Sequence, residues 1–234
     1  MSEGELRDGH CQICGHDRWI HDDVLWPDLV QAWQLDPAEV AYIDVQQGTR
    51  CERCGSNVRS QALARALVHA TGGDGTLEHW LQQAGARECR MLEINEAGTL
   101  SPWLSRLPGH VMARYPECDM MQLPYPEGAF DLVVHSDTLE HVSDPALALD
   151  ECCRVVAIGG SAVFTVPVVV GRLTRSRKGL PASYHGSRDC RESDFLVHTE
   201  FGADVWTAVL TAGFRSCQFI PFRYPSGIAL IARR

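Results

Sequence analysis

The chain is nearly devoid of lysine: of 21 Lys and Arg residues, only Lys178 is a lysine. That leaves almost no candidate for Schiff-base chemistry, which needs an amine able to lose its proton. No stretch approaches the ~18 uninterrupted apolar residues of a membrane-crossing helix, and no cationic segment leads into an apolar one at Met1. The expected compartment is therefore the cytoplasm, with no membrane partner. Positive charge is also short, the formal net charge being -9. A nucleic-acid partner is disfavoured, because such binding draws mainly on phosphate neutralisation by Lys and Arg. Internal repeats and low-complexity segments are absent. What is present is the composition of an ordinary folded domain, 45% hydrophobic and 22% charged, over 234 residues. That length suits one good core and a small appendage.

Ten cysteines stand out, four of them in two knuckles, Cys11-Gln-Ile-Cys14-Gly15 and Cys51-Glu-Arg-Cys54-Gly55. In each knuckle the thiolates are close enough to grip one face of a tetrahedral ion, and the trailing Gly permits the tight turn behind them. Two pairs make a closed four-thiolate site, so Cys11, Cys14, Cys51 and Cys54 are expected to hold structural Zn2+ rather than form disulfides. The other cysteines, including Cys190, have no partner at ligand-like spacing and are expected to pack as small hydrophobes. The excursion between the knuckles carries Trp19, Trp26 and Trp33, expected to pack the small metal module.

Residues 57–87 read as linking helices: one from Ser56, its expected cap, to about 71, with Leu63, Ala66, Leu67 and Ala70 on one face, then another near 77–84. Strand and helix alternate beyond them, the signature of a sheet covered on both faces. Strands are expected at 90–94, 110–115, 130–134 and 162–166, with helices at about 100–107, from 143 or 144, and at 202–212. Two final strands, 214–220 and 227–232, follow each other without a helix and imply an antiparallel edge hairpin. The expected fold class is α/β, a Rossmann-like doubly wound sheet, mostly parallel, plus a small N-terminal zinc-binding module. The expected divisions are 1–56, 57–87 and 88–234, with a substrate-covering loop at about 168–200.

In such a sheet, ligands bind at the carboxyl ends of the strands where strand order reverses. At those ends lies Leu123-Pro-Tyr-Pro-Glu-Gly-Ala-Phe-Asp-Leu-Val-Val-His-Ser-Asp-Thr-Leu-Glu-His-Val142, followed by Ala148-Leu-Asp-Glu-Cys-Cys-Arg-Val155 and Gly159-Gly160. This order strongly resembles the class I S-adenosylmethionine-dependent methyltransferases (type 11), whose motif is roughly LPFPDGSFDLVVxxxxLEHV with a following RVLxPGG. The resemblance covers about 88–234. It implies methyl transfer from S-adenosyl-L-methionine to oxygen or nitrogen of a small-molecule or sugar-like acceptor.

The resemblance carries over residue by residue. Glu93 matches the acid that organises the turn around the methionine end of the cofactor. Asn95-Glu96-Ala-Gly98-Thr99 stands where the family has GxGxG, and Asn tolerates the left-handed geometry such a turn needs. Asp119 matches the acid that accepts from the adenine amino group, with the Met120 backbone N–H donating to the ring. Glu117 is the candidate for the ribose hydroxyls, a solvated loop carboxylate being the competing reading. His135 and Ser136 end the strand where the sulfonium faces the acceptor, so His135 or His141 could serve as general base, His141 more often being structural in this family.

The segment 171–191 carries six basic side chains against Asp189 alone. It suggests an anionic acceptor held by Arg175, Arg177 and Arg188, with Tyr184, His185 and His198 as further contacts and His185 as another base candidate; a solvated loop is the competing reading. Alternatives to methyl transfer are cyclisation or elimination of the cofactor, a catalytically inactive binding protein on the same fold, and a zinc-ribbon nucleic-acid binder.

Overall fold

Short runs buried on both faces make the centre of the sheet. All four residues of β3, Met91–Ile94, are buried, and β5, Phe130–Ser136, is buried at every position but Asp131. Such runs form parallel strands covered by helices on each side. A computed structural model describes residues 9–184 and 193–234. In it β3 and β5 join β4 (His110–Ala113), β6 (Val156–Thr165), β10 (Ser216–Phe222) and β11 (Gly227–Arg233) in a sheet of order β10-β11-β6-β5-β3-β4. β4, β3, β5 and β6 run parallel, and β11 is antiparallel to both β6 and β10. Strand order reverses at β3, whose successors lie on opposite sides of it, so a crevice opens at the carboxyl ends of β3 and β5.

Helix α3, Val58–Ala70, covers one face, its Leu63 and Leu67 packing with Met91, Leu132, Val134, Val163 and Ile231. Cys11, Ile13, Cys14 and Cys51 join that same apolar cluster. Asn57, not Ser56, caps α3, accepting from Ser60 N at 3.0 Å. The Ser56 carbonyl is instead held by Cys51 N at 3.0 Å, which ties it to the knuckle turn. On the other face α7 (Pro145–Val155) and α8 (Val205–Thr211) bury Leu149, Cys152, Val205 and Val209 against Leu92, Ile94, Val133 and Phe164. Asp144 caps α7 through Leu147 N, as expected for a helix with Pro145 in its first turn.

The helix expected at 77–84 is two short ones, α4 (Leu77–Trp80) and α5 (Ala84–Glu88). That expected at 100–107 contracts to a 3-10 turn, Gly98–Leu100, and α6, Ser101–Leu104. β6 begins at Val156, well before 162. Its pairing with β5 slips between Phe130 and Leu132, so Gly159 (φ 83°) and Gly160 form a bulge inside the strand. A side chain on Gly160 would lie 2.6 Å from the Asp131 carbonyl, which is why glycine stands there.

Between the knuckles, β1 (Trp19–His21) pairs antiparallel with β2 (Thr49–Cys51), and α1 (Pro27–Trp33) and α2 (Pro37–Gly48) lie between them in sequence. Asp36 and Glu39 form a capping box on α2. The three tryptophans do not gather into one core. Trp19 packs on Phe222 at 5.9 Å, whereas Trp33 is buried against Val169 and Val197, far along the chain. The segment expected to be one long loop contains β7 (Val168–Val169) and β8 (Arg175–Ser176), which flank β9 (Thr199–Gly202) in a small sheet. Among the described residues no helix is long and apolar enough to cross a membrane.

Candidate active site and cysteine cluster

The two knuckles meet. Cys11 Sγ lies 3.5 Å from Cys54 Sγ, Cys14 Sγ lies 3.7 Å from Cys51 Sγ, and all four sulfurs fall within 4.8 Å of one another. A tetrahedral zinc with Zn–S of about 2.3 Å puts its sulfurs about 3.8 Å apart, so the cluster fits the ion. Gly15 and Gly55, at φ 75° and 73°, close the turns by donating to the Cys11 and Cys51 carbonyls at 2.9 Å. The contact between the Cys11 and Cys54 sulfurs pulls the Cys54 pKa down and pushes that of Cys11 up. Four thiolate ligands leave no open coordination position, which makes such a site structural.

At the carboxyl ends of β3 and β5 lie two adjoining cavities. The first, about 530 Å³, has Asn95, Tyr115, Asp119 and Met120 on its wall; the second, about 470 Å³, has Trp26, Leu29, Arg59 and Gly98. They share Glu96, Ser136, Asp137, His141 and Phe195. Asn95 and Gly98 adopt φ of 53° and 55°, so the substituted turn keeps the left-handed backbone of a glycine-rich one. Buried Glu93 holds that turn, one oxygen accepting from Ala97 N at 2.8 Å and the other meeting His110 Nε2 at 2.6 Å. Glu93 thus supports the wall without lining either cavity. Asp119 Oδ1 accepts from Met121 N at 2.8 Å.

Several expected residues lie elsewhere. His135 is fully buried beside Phe164, the rings stacked at 4.6 Å, and lines neither cavity. Its strand position points it into the core with Val133, both ring nitrogens lack a partner, and burial pushes its pKa down to about 3. It is a core histidine, neither a base nor a cofactor contact. Glu117 is exposed and lines neither cavity. Arg175 and Arg177 both pair with Glu200, and Arg177 also donates to the Pro181 carbonyl at 2.7 Å. Tyr184 bridges to Leu196. These three stand off both cavities because Glu200 of β9 and the Pro181 carbonyl hold the two arginines and the bridge to Leu196 holds Tyr184. Ser136 lines both cavities, His198 lines the first alone, although it was expected to meet the acceptor, and His141 faces both cavities, its Nδ1 3.1 Å from the Leu196 carbonyl. His185 and Arg188 lie outside the described residues.

The junction holds groups that the sequence reading passed over. Asp137, at φ 44°, accepts from Thr165 Oγ1 at 2.9 Å and from Arg59 of α3. Glu140 is almost wholly buried on the 3-10 turn Leu139–His141 and lines the second cavity. Burial, then the nearby Asp137 carboxylate, push its pKa up to about 8. The signal for both was their place within the quoted motif. That for the apolar wall was the helical spacing of Trp26, Leu29 and Trp33.

A family model described as a methyltransferase domain matches residues 54–164. The chain is similar to a probable S-adenosylmethionine-dependent methyltransferase of Mycolicibacterium smegmatis, 28% identical over 130 residues, 53% of this chain and 46% of that one. It is also similar to a ubiquinone/menaquinone biosynthesis C-methyltransferase of Xanthomonas oryzae, 35% identical over 101 residues, 41% of this chain and 40% of that one. Each match thus spans less than half of the relative's length. A solved S-adenosylmethionine-dependent methyltransferase of Thermotoga maritima, a possible histamine N-methyltransferase, overlays 74% of this chain and 88% of its own at 16% identity and a TM-score of 0.45. Residues 54–164, just under half of the chain, contain Arg59, the Asn95 to Gly98 turn, Asp119 and the Ser136 to His141 junction, so the segment that resembles a methyltransferase domain is the one that carries the meeting point of the two cavities.

Proposed function

We propose that the chain transfers a methyl group from S-adenosylmethionine to oxygen or nitrogen of a small-molecule acceptor. The observation that carries this reading is the pair of cavities meeting at Ser136, Asp137 and His141. On this reading the first cavity takes the adenosine, with Asp119 accepting from the adenine amino group and the Met120 N–H donating to the ring. Tyr115 and Asn95 flank the ribose in place of Glu117, and the amino-acid end lies over Gly98 beside Arg59 and Glu96. When bound, the cofactor supplies an electrophilic methyl on a sulfonium. The protein's part is to align the acceptor, exclude water behind Phe195 and the residues 167–169, and take up a proton at the junction.

Residues 88–234 then form the catalytic domain, 57–87 the linking helices and 1–56 a zinc module whose excursion walls the second cavity. Cytoplasmic placement belongs to the same reading, since thiols stay available to a metal in a reducing compartment.

Calorimetric titration with S-adenosylhomocysteine tests the reading. Wild type should bind it, and Asp119→Ala should weaken binding by about 1 to 3 kcal/mol through loss of a hydrogen-bond acceptor. Unchanged affinity in that variant would put the adenine elsewhere. Methylthioadenosine formed without any acceptor would favour cyclisation or elimination instead.

A further inference from the structure

We propose that the second cavity binds an uncharged, ring-bearing alcohol or phenol as methyl acceptor and that Glu140 accepts its hydroxyl proton, an inference that rests on the methyltransferase reading. The cavity wall is largely apolar and partly aromatic: Trp26, Leu29 and Trp33 come from the excursion between the knuckles, and Val168, Val169 and Phe195 from the C-terminal part of the chain. A volume near 470 Å³ with aromatic walls suits a flat ring system.

Charge argues against an anion. Glu96, Asp137 and Glu140 all line the second cavity, whereas Arg59 is the one Arg or Lys on it among the described residues and already donates to Asp137. The arginines of the 172–177 segment are committed elsewhere: Arg172 binds Glu39 and the Trp33 carbonyl, and Arg175 and Arg177 bind Glu200. Among the described residues, a carboxylate or phosphate entering here would meet three carboxylates and no guanidinium that is not already paired.

Glu140 stands where the proton must go. Its backbone carbonyl accepts from His198 N at 2.8 Å, which fixes the turn, and Oε1 lies 3.6 Å from His141 Nε2. Among the described residues, the titratable and charged groups around it include Asp137 and His141 on its own segment and Arg59 from α3. A buried carboxyl that titrates near the working pH is well matched to proton transfer. In the step, the acceptor oxygen forms a bond to the methyl carbon of the sulfonium donor while the S–C bond breaks and its electron pair returns to sulfur. The O–H proton passes to the Glu140 carboxylate, leaving a methyl ether, a thioether and a neutral carboxyl. His141 offers the way out to solvent.

The probes are 2-naphthalenemethanol and its anionic counterpart 2-naphthoate, titrated calorimetrically into protein saturated with S-adenosylhomocysteine. The alcohol should bind at least about tenfold tighter than the acid, and Trp26→Ala should weaken it about fivefold. Because a carboxylate is the stronger hydrogen-bond acceptor, affinity for the alcohol should rise several-fold between about pH 6 and about pH 9 in wild type and stay flat in Glu140→Gln. Arg175→Gln should change none of these values. Equal or tighter binding of naphthoate, a flat wild-type pH profile, or an unchanged profile in Glu140→Gln would overturn the proposal; the first two need no variant at Glu140 to fold. Failure of S-adenosylhomocysteine to bind would remove the methyltransferase reading itself, whereas failure of the alcohol alone would remove only this inference.

Discussion

The 172–177 segment and the 136–141 turn use charge in opposite ways. The first is strongly basic in sequence, yet its arginines bind Glu39 and Glu200 and strap β9 and α2 together. The second is short and looks unremarkable in composition, yet Asp137 and Glu140 both face the second cavity. Charge density along a chain does not tell which way the charges face. Salt-bridge partners 23 and 133 residues away decide that for Arg177 and Arg172, whereas the carboxylates of the turn, Asp137 and Glu140, are aimed by a strand end one and four residues before them.

Four experiments can break or sharpen this contrast. The largest effect should follow removal of the metal, because α2, which carries Glu39, lies between the two knuckles. Elemental analysis should find one zinc per chain, and chelation should destabilise the N-terminal module by on the order of 10 kcal/mol, visible as exposure of tryptophan fluorescence. Retention of the native fluorescence with all four thiols titratable would deny the site.

Glu200→Ala should leave Arg177, only 5% exposed in its side chain, without its carboxylate. We expect a loss of about 3 to 5 kcal/mol in chemical denaturation with cofactor affinity unchanged. A fall in cofactor affinity greater than the fall in stability would show the strap to be part of the site after all.

Glu140 should leave a pH signature on stability. Its folded pKa is raised, so the native state holds a proton that the unfolded chain releases, and stability should fall as pH rises from about 4.5 to about 8. Glu140→Gln should remove that slope and be more stable than wild type at alkaline pH by on the order of 3 kcal/mol. Parallel pH profiles for the two proteins would show Glu140 to ionise normally.

The smallest effect is expected at His135. Replacing it by Leu removes two partnerless buried nitrogens and should stabilise the fold by about 1 kcal/mol while leaving cofactor binding intact. Lost cofactor binding in a folded variant would return His135 to the site.

The cysteine cluster was legible because ligand spacing within each knuckle is local: Cys-x-x-Cys-Gly prescribes the turn wherever it occurs. The presence of the central parallel strands was equally legible, since strand and helix alternate through 88–166; their order in the sheet was not. Residues aimed by a strand end were harder. His135 and Ser136 are neighbours, but the two-residue period of β5 sends one into the core and the other to both cavities.

Local chemistry by itself determined the two Cys-x-x-Cys-Gly turns, the antiparallel hairpin of β10 and β11 and the left-handed turn at Asn95, because each depends on backbone preferences within a few residues. Only the tertiary structure decided that Trp26 and Trp33 would wall a cavity, that the basic segment would turn its guanidiniums onto Glu39 and Glu200, and that Glu140 would be buried beside Asp137. Those outcomes depend on contacts between segments apart in the chain, 23 residues for Arg177 with Glu200 and 133 for Arg172 with Glu39, and burial, which shifts the acidity of Glu140, is a property of the folded chain.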